Sequence, residues 1–271
     1  MIITHTMDWD KCLSHQIWPA IKKGWKDEGK PVHFFWGLAG KNIPEIQNCI
    51  AKGEEYWYVD VGYMTEQITR YPEPKINNYD TTYFRIVKGA IHTKKGKVGS
   101  PARHKELLKK GIDAEFKGWT TNTDHVLLCP SSPTVTFHIN AMTQEEWIKG
   151  AGEEIRKHTE RNIRLRNKPR PHNEWWGKDI KEDLKGAHCL VTNMSLAAVD
   201  AVLNMVPVIA DANNCAWPIS SREPKFVEKP MKPGRKTVTE WLNWLTHHQF
   251  TMQEIEDGVA FKVLQEQYKN E

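Results

Sequence analysis

Nowhere does this 271-residue chain approach the ~18 uninterrupted apolar residues that a membrane-spanning helix requires. Its opening, MIITHTMDWDK, lacks the basic region and apolar run of a secretory leader, so the chain reads as soluble and cytoplasmic. Cysteine is scarce: five residues, odd in number, widely scattered and never spaced as a metal knuckle. That pattern excludes a disulfide framework and a zinc ribbon. GLAGKN, from Gly37, lacks the spacing and the Ser/Thr of a phosphate loop, which argues against a P-loop kinase. Neither a serine nucleophile elbow nor H-E-x-x-H occurs. The acidic pair Asp8 and Asp10 precedes a helical pattern instead of following a buried strand, so it is a poor metal site.

What is present is a globular composition, 39% hydrophobic and 27% charged, with twelve tryptophans. The net charge of +4 is unevenly spread: 94–110 and 156–170 each hold seven Lys/Arg against one Glu. Such stretches are either solvated surfaces or contacts for an anionic partner.

Apolar spacing predicts a helix from about Trp9 to Lys23, capped by Asp8, then strands at VHFFWGL and EYWYVDVGY flanking the helical IPEIQNCIAKG. A third strand is expected over YFRIVKGAI, followed by a basic loop leading into a helix. After Asn122 the alternation restarts. HVLLCPSS reads as a buried strand, and Thr143 with Glu146 as the capping box of a long helix. IRLRNKPRP, HCLVTN and PVIADA are further strands, with short helices at WWGKDIKEDLKGA and SLAAVDAVLNMV between them. TVTEWLNWLTHHQ and MQEIEDGVAFKVLQEQY close the chain as helices. The expected fold class is α/β, with two Rossmann-like lobes built on mainly parallel sheets: an acceptor-side lobe over 1–121, and a nucleotide-binding lobe with the closing helices over 122–271.

The most informative stretch is 179–211, in which a strand ends at Asn193 and turns into an alanine-rich helix opening at Ser195. Such a turn directs backbone N–H groups at the carboxyl edge of a sheet, where phosphate binds. Asp200, one turn into the helix, is placed to accept from ribose hydroxyls, or is simply a solvated helix residue. This segment resembles the nucleotide-binding half of GT-B type glycosyltransferases, including bacterial surface-polysaccharide transferases and phage-encoded transferases that modify DNA. It departs from that pattern before Pro207, where the family often has glycine and this chain has Met205, leaving Asn204 as the expected left-handed residue.

The resemblance implies a nucleotide-sugar donor, a UDP-sugar first among them, neutralised by helix N-termini and basic side chains without an essential metal. Donor-binding candidates are Ser131, Ser132, Arg166, Lys168, Asn193, Ser195 and Asp200. For deprotonating an acceptor hydroxyl, Asp60 is the first candidate and His92 the second. Acceptor contacts fall to Tyr63, Arg85, Lys94, Lys95, Lys97 and Arg103, with Arg85 equally able to pair with an acid. The basic loop suits a double-stranded DNA backbone and so a hydroxymethylated pyrimidine acceptor; a surface or lipid-linked glycan is the alternative, and a non-catalytic nucleotide- or nucleic-acid-binding module the rival from another class. Trp175 and Trp176, beside Arg170 and His172, are candidates for stacking on a base or sugar.

Overall fold

A computed structural model describes residues 1–6, 12–26, 29–64, 68–69, 71–93, 101–121 and 124–269. The chain divides into two compact units, one made of Met1–Ala114 with Leu242–Glu271, the other of Glu115–Trp241.

The first unit contains β1 (Ile2–His5), α1 (Ser14–Gly24), β2 (Val32–Trp36), α2 (Asn42–Lys52), β3 (Glu55–Val61), the short strands β4 (Ile68–Thr69) and β5 (Lys75–Ile76), β6 (Phe84–Lys88) and α3 (Pro101–Lys109). The second contains β7 (His125–Leu128), α4 (Pro133–Asn140), α5 (Gln144–Arg156), β8 (Asn162–Leu165), α6 (Ile180–Leu184), β9 (Ala187–Thr192), α7 (Ala197–Leu203) and β10 (Val208–Ala210). Then α8 (Arg235–Thr246) carries the chain back to the first unit, which β11 (Gln249–Phe250), α9 (Met252–Glu256) and α10 (Val259–Tyr268) complete.

The first sheet has the order β1-β2-β3-β6-β11 and is mixed: β1, β2 and β3 run parallel, whereas β6 is antiparallel to both β3 and β11. The strand expected over YFRIVKGAI therefore exists, but its direction departs from the mainly parallel arrangement expected for this half. One core face gathers Trp18, Trp25, Trp36 and Trp57 with Phe34, Phe84, Phe250 and Phe261. Trp25 packs edge-on against Phe34, Trp57 and Phe261 with centroids 4.9–5.0 Å apart, a geometry that aligns ring edges with ring faces. Phe250, Met252, Ile255, Phe261 and Leu264, from the closing elements, all belong to this core. The closing helices, expected with the second half, are thus part of the first unit, because their apolar faces complete its core.

The second sheet, β10-β9-β7-β8, is wholly parallel. Every residue of β7 and β9 is buried, as continuous apolar strands covered on both faces require. Thr143 and Glu146 form the expected capping box of α5. Since β7 connects to β8 on one side and the chain then crosses to β9 on the other, the order reverses between β7 and β9. The carboxyl ends of those two strands form the topological switch point, where open α/β sheets bind ligands.

Candidate functional site: the carboxyl edge of the parallel sheet

Ser131 and Asn193 meet at the switch point, as the sequence places them, but they face each other. Asn193 Oδ1 accepts from both the backbone N–H of Ser131 (2.8 Å) and its hydroxyl (2.6 Å), while Ser131 Oγ accepts from Met194 N at 2.9 Å. The Asn193 amide donates onward to Thr136 Oγ1 (3.2 Å) and Asn140 Oδ1 (3.0 Å). Asn193 is fully buried and Ser131 4% exposed, so the pair welds β7 to β9. Ser132, half-buried, precedes α4 and makes no side-chain cap.

The phosphate turn expected at Ser195 is differently built. Helix α7 opens at Ala197, and N–H groups around its start are already bonded: Ser195 N donates to Thr192 Oγ1, Ala197 N to Ser195 Oγ and Ala198 N to Ser195 O. Asn214 Nδ2 holds the turn from outside through the carbonyls of Asn193 (2.9 Å) and Ser195 (3.2 Å). Asp200 lies half-buried on α7. The helix ends in a left-handed residue, but this is Met205 (φ 66°) and not Asn204 (φ −95°). Asn204 instead folds its amide onto Asp200 O at 2.7 Å, and Val206 N closes on Ala201 O at 2.8 Å, the bond that forces the residue between them left-handed.

Arg166 is 4% exposed, with Nη1 2.5 Å from Asp183 Oδ2 and Nη2 donating to Lys178 O at 2.7 Å. The charge expected to meet a phosphate is neutralised within the protein, in a pair that ties α6 to the end of β8. Lys168 is exposed in the following loop, where Asn173 Nδ2 donates to its carbonyl. Trp175 is half-buried and Trp176 47% exposed.

A cleft of about 590 Å³, lined by none of the donor candidates above, opens at the carboxyl ends of β9 and β10. Val191, Thr192, Ile209 and Ala210 form its floor, and Trp147, Gly150 and Ala151 of α5 one wall, with Glu146, Asp211 and Arg222 as its charged groups. Its size falls in the range of small-molecule sites. Burial pushes the Asp211 carboxyl above its ordinary range, a shift opposed by the Asn140 amide, which donates to Oδ2 at 3.2 Å. Arg222 stacks over the Trp217 ring at 4.8 Å and is exposed. Sequence reasoning missed Asp211, Arg222 and the α5 wall. One signal was available: Gly150 and Gly152 sit inside a helix, where glycine costs about 1 kcal/mol against alanine, and a Cβ at either would meet nothing.

The acceptor-side candidates fall in the first unit. Asp60 is about a third exposed; its Oδ1 accepts from Val61 N (2.7 Å) and its Oδ2 from Tyr58 OH (2.9 Å) and Arg85 Nη2 (3.1 Å). Of the two readings for Arg85, pairing with an acid is the one found: it is buried, donates also to Val61 O and Ile91 O, and lies over the rings of Tyr58 and Tyr63. Tyr63 is buried, its hydroxyl accepting from Thr93 N, and His92 is 3% exposed, 5.9 Å from the Tyr63 ring. Arg103 chelates Glu254 at 2.8 and 3.2 Å and donates to Thr246 O and Gln249 O, clamping α3 to the closing elements. Lys94, Lys95 and Lys97, like Asp8 and Asp10, lie outside the described residues. No described helix is long and apolar enough to cross a membrane.

No protein-family model matches this sequence, and no curated protein does. Solved structures do match. KpsC from Thermosulfurimonas dismutans, a beta Kdo 2,7 transferase, superimposes over 96% of this chain and 99% of its own, with a TM-score of 0.51 at 12% identity. At that identity the likeness establishes architecture alone: this chain is folded like a glycosyltransferase.

Proposed function

We propose that the protein is a glycosyltransferase that takes its sugar from a nucleotide-sugar donor and holds that donor in the cleft at the carboxyl ends of β9 and β10. The observation that carries this reading is the cleft's position, next to the switch point of a parallel sheet, in a chain with a transferase fold. Asp211 is placed to accept from ribose hydroxyls, Arg222 to neutralise a phosphate, and the Trp147 wall to cover a sugar or base. A UDP-sugar is the first donor to try.

For the acceptor we propose a glycan hydroxyl. The matched structure is that of a Kdo transferase, and Arg103, a candidate for a DNA backbone, is clamped to Glu254. Asp60 stands as the proposed general base. Loss of turnover in Asp60→Asn with donor affinity unchanged supports that role, and retained turnover removes it.

The donor site is tested by calorimetry against UDP-, GDP-, ADP- and CMP-sugars, using the wild type and two variants. Gly150→Leu projects a side chain from the α5 wall at a position where nothing blocks it, so the fold survives while the cleft fills. Arg222→Ala removes the exposed cation. One donor class should bind the wild type, at least about 10-fold more weakly in each variant. No binding by any nucleotide, or affinity indifferent to both substitutions, would overturn the proposal.

A further inference from the structure

The first unit contains a second constellation of reactive side chains, separate from every residue discussed above. His33 lies on β2, Cys49 in the last turn of α2 and Glu54 in the bend between α2 and β3. Local backbone geometry brings the last two together: Gly53 adopts φ 66°, ending α2, and Glu54 N folds back onto Cys49 O at 2.9 Å. One ring nitrogen of His33, the Cys49 sulfur and a Glu54 carboxylate oxygen all lie within 4.8 Å of one another.

We propose that His33 Nε2, Cys49 Sγ and the Glu54 carboxylate form a binding site for a divalent transition metal, zinc being the best fit, with water as the fourth ligand. Two features beyond proximity support it. First, His33 Nε2 and Glu54 Oε2 stand 3.3 Å apart. Nitrogen and oxygen ligands at 2.0–2.2 Å from one tetrahedral ion are separated by about 3.3–3.5 Å, so that edge of the tetrahedron already exists.

Second, the other ring nitrogen, Nδ1, is 2.9 Å from His5 Nε2 on the adjacent strand β1. Metal-bound histidines are oriented by such a partner, which fixes the ring and the tautomer. His5 is itself held by stacking on Phe35, with centroids 4.1 Å apart. Imidazole, thiolate and carboxylate together suit zinc and its neighbours, whereas magnesium and calcium take oxygen ligands only. Cys49 is buried, but the His33 and Glu54 side chains are 12% and 31% exposed, which leaves an approach for the ion and its water.

Binding converts the Cys49 thiol to a thiolate, its proton passing to solvent, and leaves the His33 imidazole neutral. The ion would join β2, α2 and the bend that leads into β3, three consecutive pieces of the unit. This site is independent of the donor reading and stands or falls without it.

Cobalt(II) titration of the tag-free, chelator-stripped full chain tests the site, followed by displacement with zinc. One cobalt should bind per chain with the absorption band of cobalt–thiolate charge transfer, and zinc should abolish the band. In Cys49→Ser the band should vanish and zinc affinity fall at least about 100-fold; in His5→Gln the band should persist with affinity lowered about 10–100-fold. Should Cys49→Ser fail to fold, Glu54→Gln, at a part-exposed position, should weaken zinc at least about 10-fold. Absence of the band in the wild type, a band surviving Cys49→Ser, or zinc affinity unchanged in Glu54→Gln would overturn the proposal.

Discussion

Asp211 sits where burial works against its charge, and only the Asn140 amide opposes that effect. Replacing it with asparagine keeps the shape and removes the buried carboxylate. Asp211→Asn should therefore raise the thermal midpoint of the second unit at neutral pH while weakening nucleotide-sugar binding. A scan with and without donor reads both effects. His248 makes the opposite kind of prediction. It is fully buried between Trp244 O, Thr93 Oγ1 and Gln267 Nε2, and burial depresses its pKa from the usual 6.5 to about 3. Above pH ~6.5 the ring is neutral in folded and unfolded chains alike, and acidity has no purchase on it. Below that value the unfolded chain takes up a proton that the folded one refuses, so stability falls by up to about 1.4 kcal/mol per pH unit down to pH ~3. Denaturation of the wild type and His248→Gln at pH 7.5 and 5 should show a smaller pH dependence in the variant. At this scale the sequence is a poor guide: it puts Ser131, Asn193 and Arg166 at the carboxyl edge of the second sheet, but it cannot show that Asn193 and Asp183 already occupy their polar groups.

Elements were more legible than side chains. β7, β9 and α5 follow from buried apolar runs and a capping box, signals that depend on neighbours in the chain. β1 escaped notice because IITH is short, and α4 because PTVTFHIN is rich in β-branched residues and is held instead by Pro133 at its start and tertiary contacts. The direction of β6 was invisible, since antiparallel and parallel strands share one alternation. Two helix ends invite tests. At the end of α7, Met205 is left-handed and 37% exposed, so glycine there loses little packing and relieves the Cβ conflict; Met205→Gly should stabilise the protein by up to about 1 kcal/mol in urea denaturation. At the end of α1, a Cβ on Gly24 would lie 1.8 Å from Ile255 O, backbone that cannot swing aside. Gly24→Ala should cost about 3 kcal/mol or more, chiefly by lifting α9 from α1, and amide exchange in α9 should rise with it.

For the molecule as a whole, the unit boundaries matter most. The second unit is one continuous stretch, whereas the first is assembled from both ends of the chain. A fragment of residues 115–246, keeping all of α8, should fold cooperatively and bind the same nucleotide-sugar as the full protein; circular dichroism and calorimetry check the two halves of that statement. A chain ending at residue 241 should lose the first unit, since Phe250, Ile255, Phe261 and Leu264 leave its core. The α/β class and the restart of the pattern near residue 122 were readable, but the return of the tail was not, because an amphipathic helix does not announce which core it covers. That return also sets a timetable. During synthesis the second unit can close as soon as it emerges, while strands made earlier must wait for residues 250–264, which complete their core. At about 5–20 residues per second that wait is on the order of 10–30 s, during which a tryptophan-lined surface is open to chaperones, or to other nascent chains.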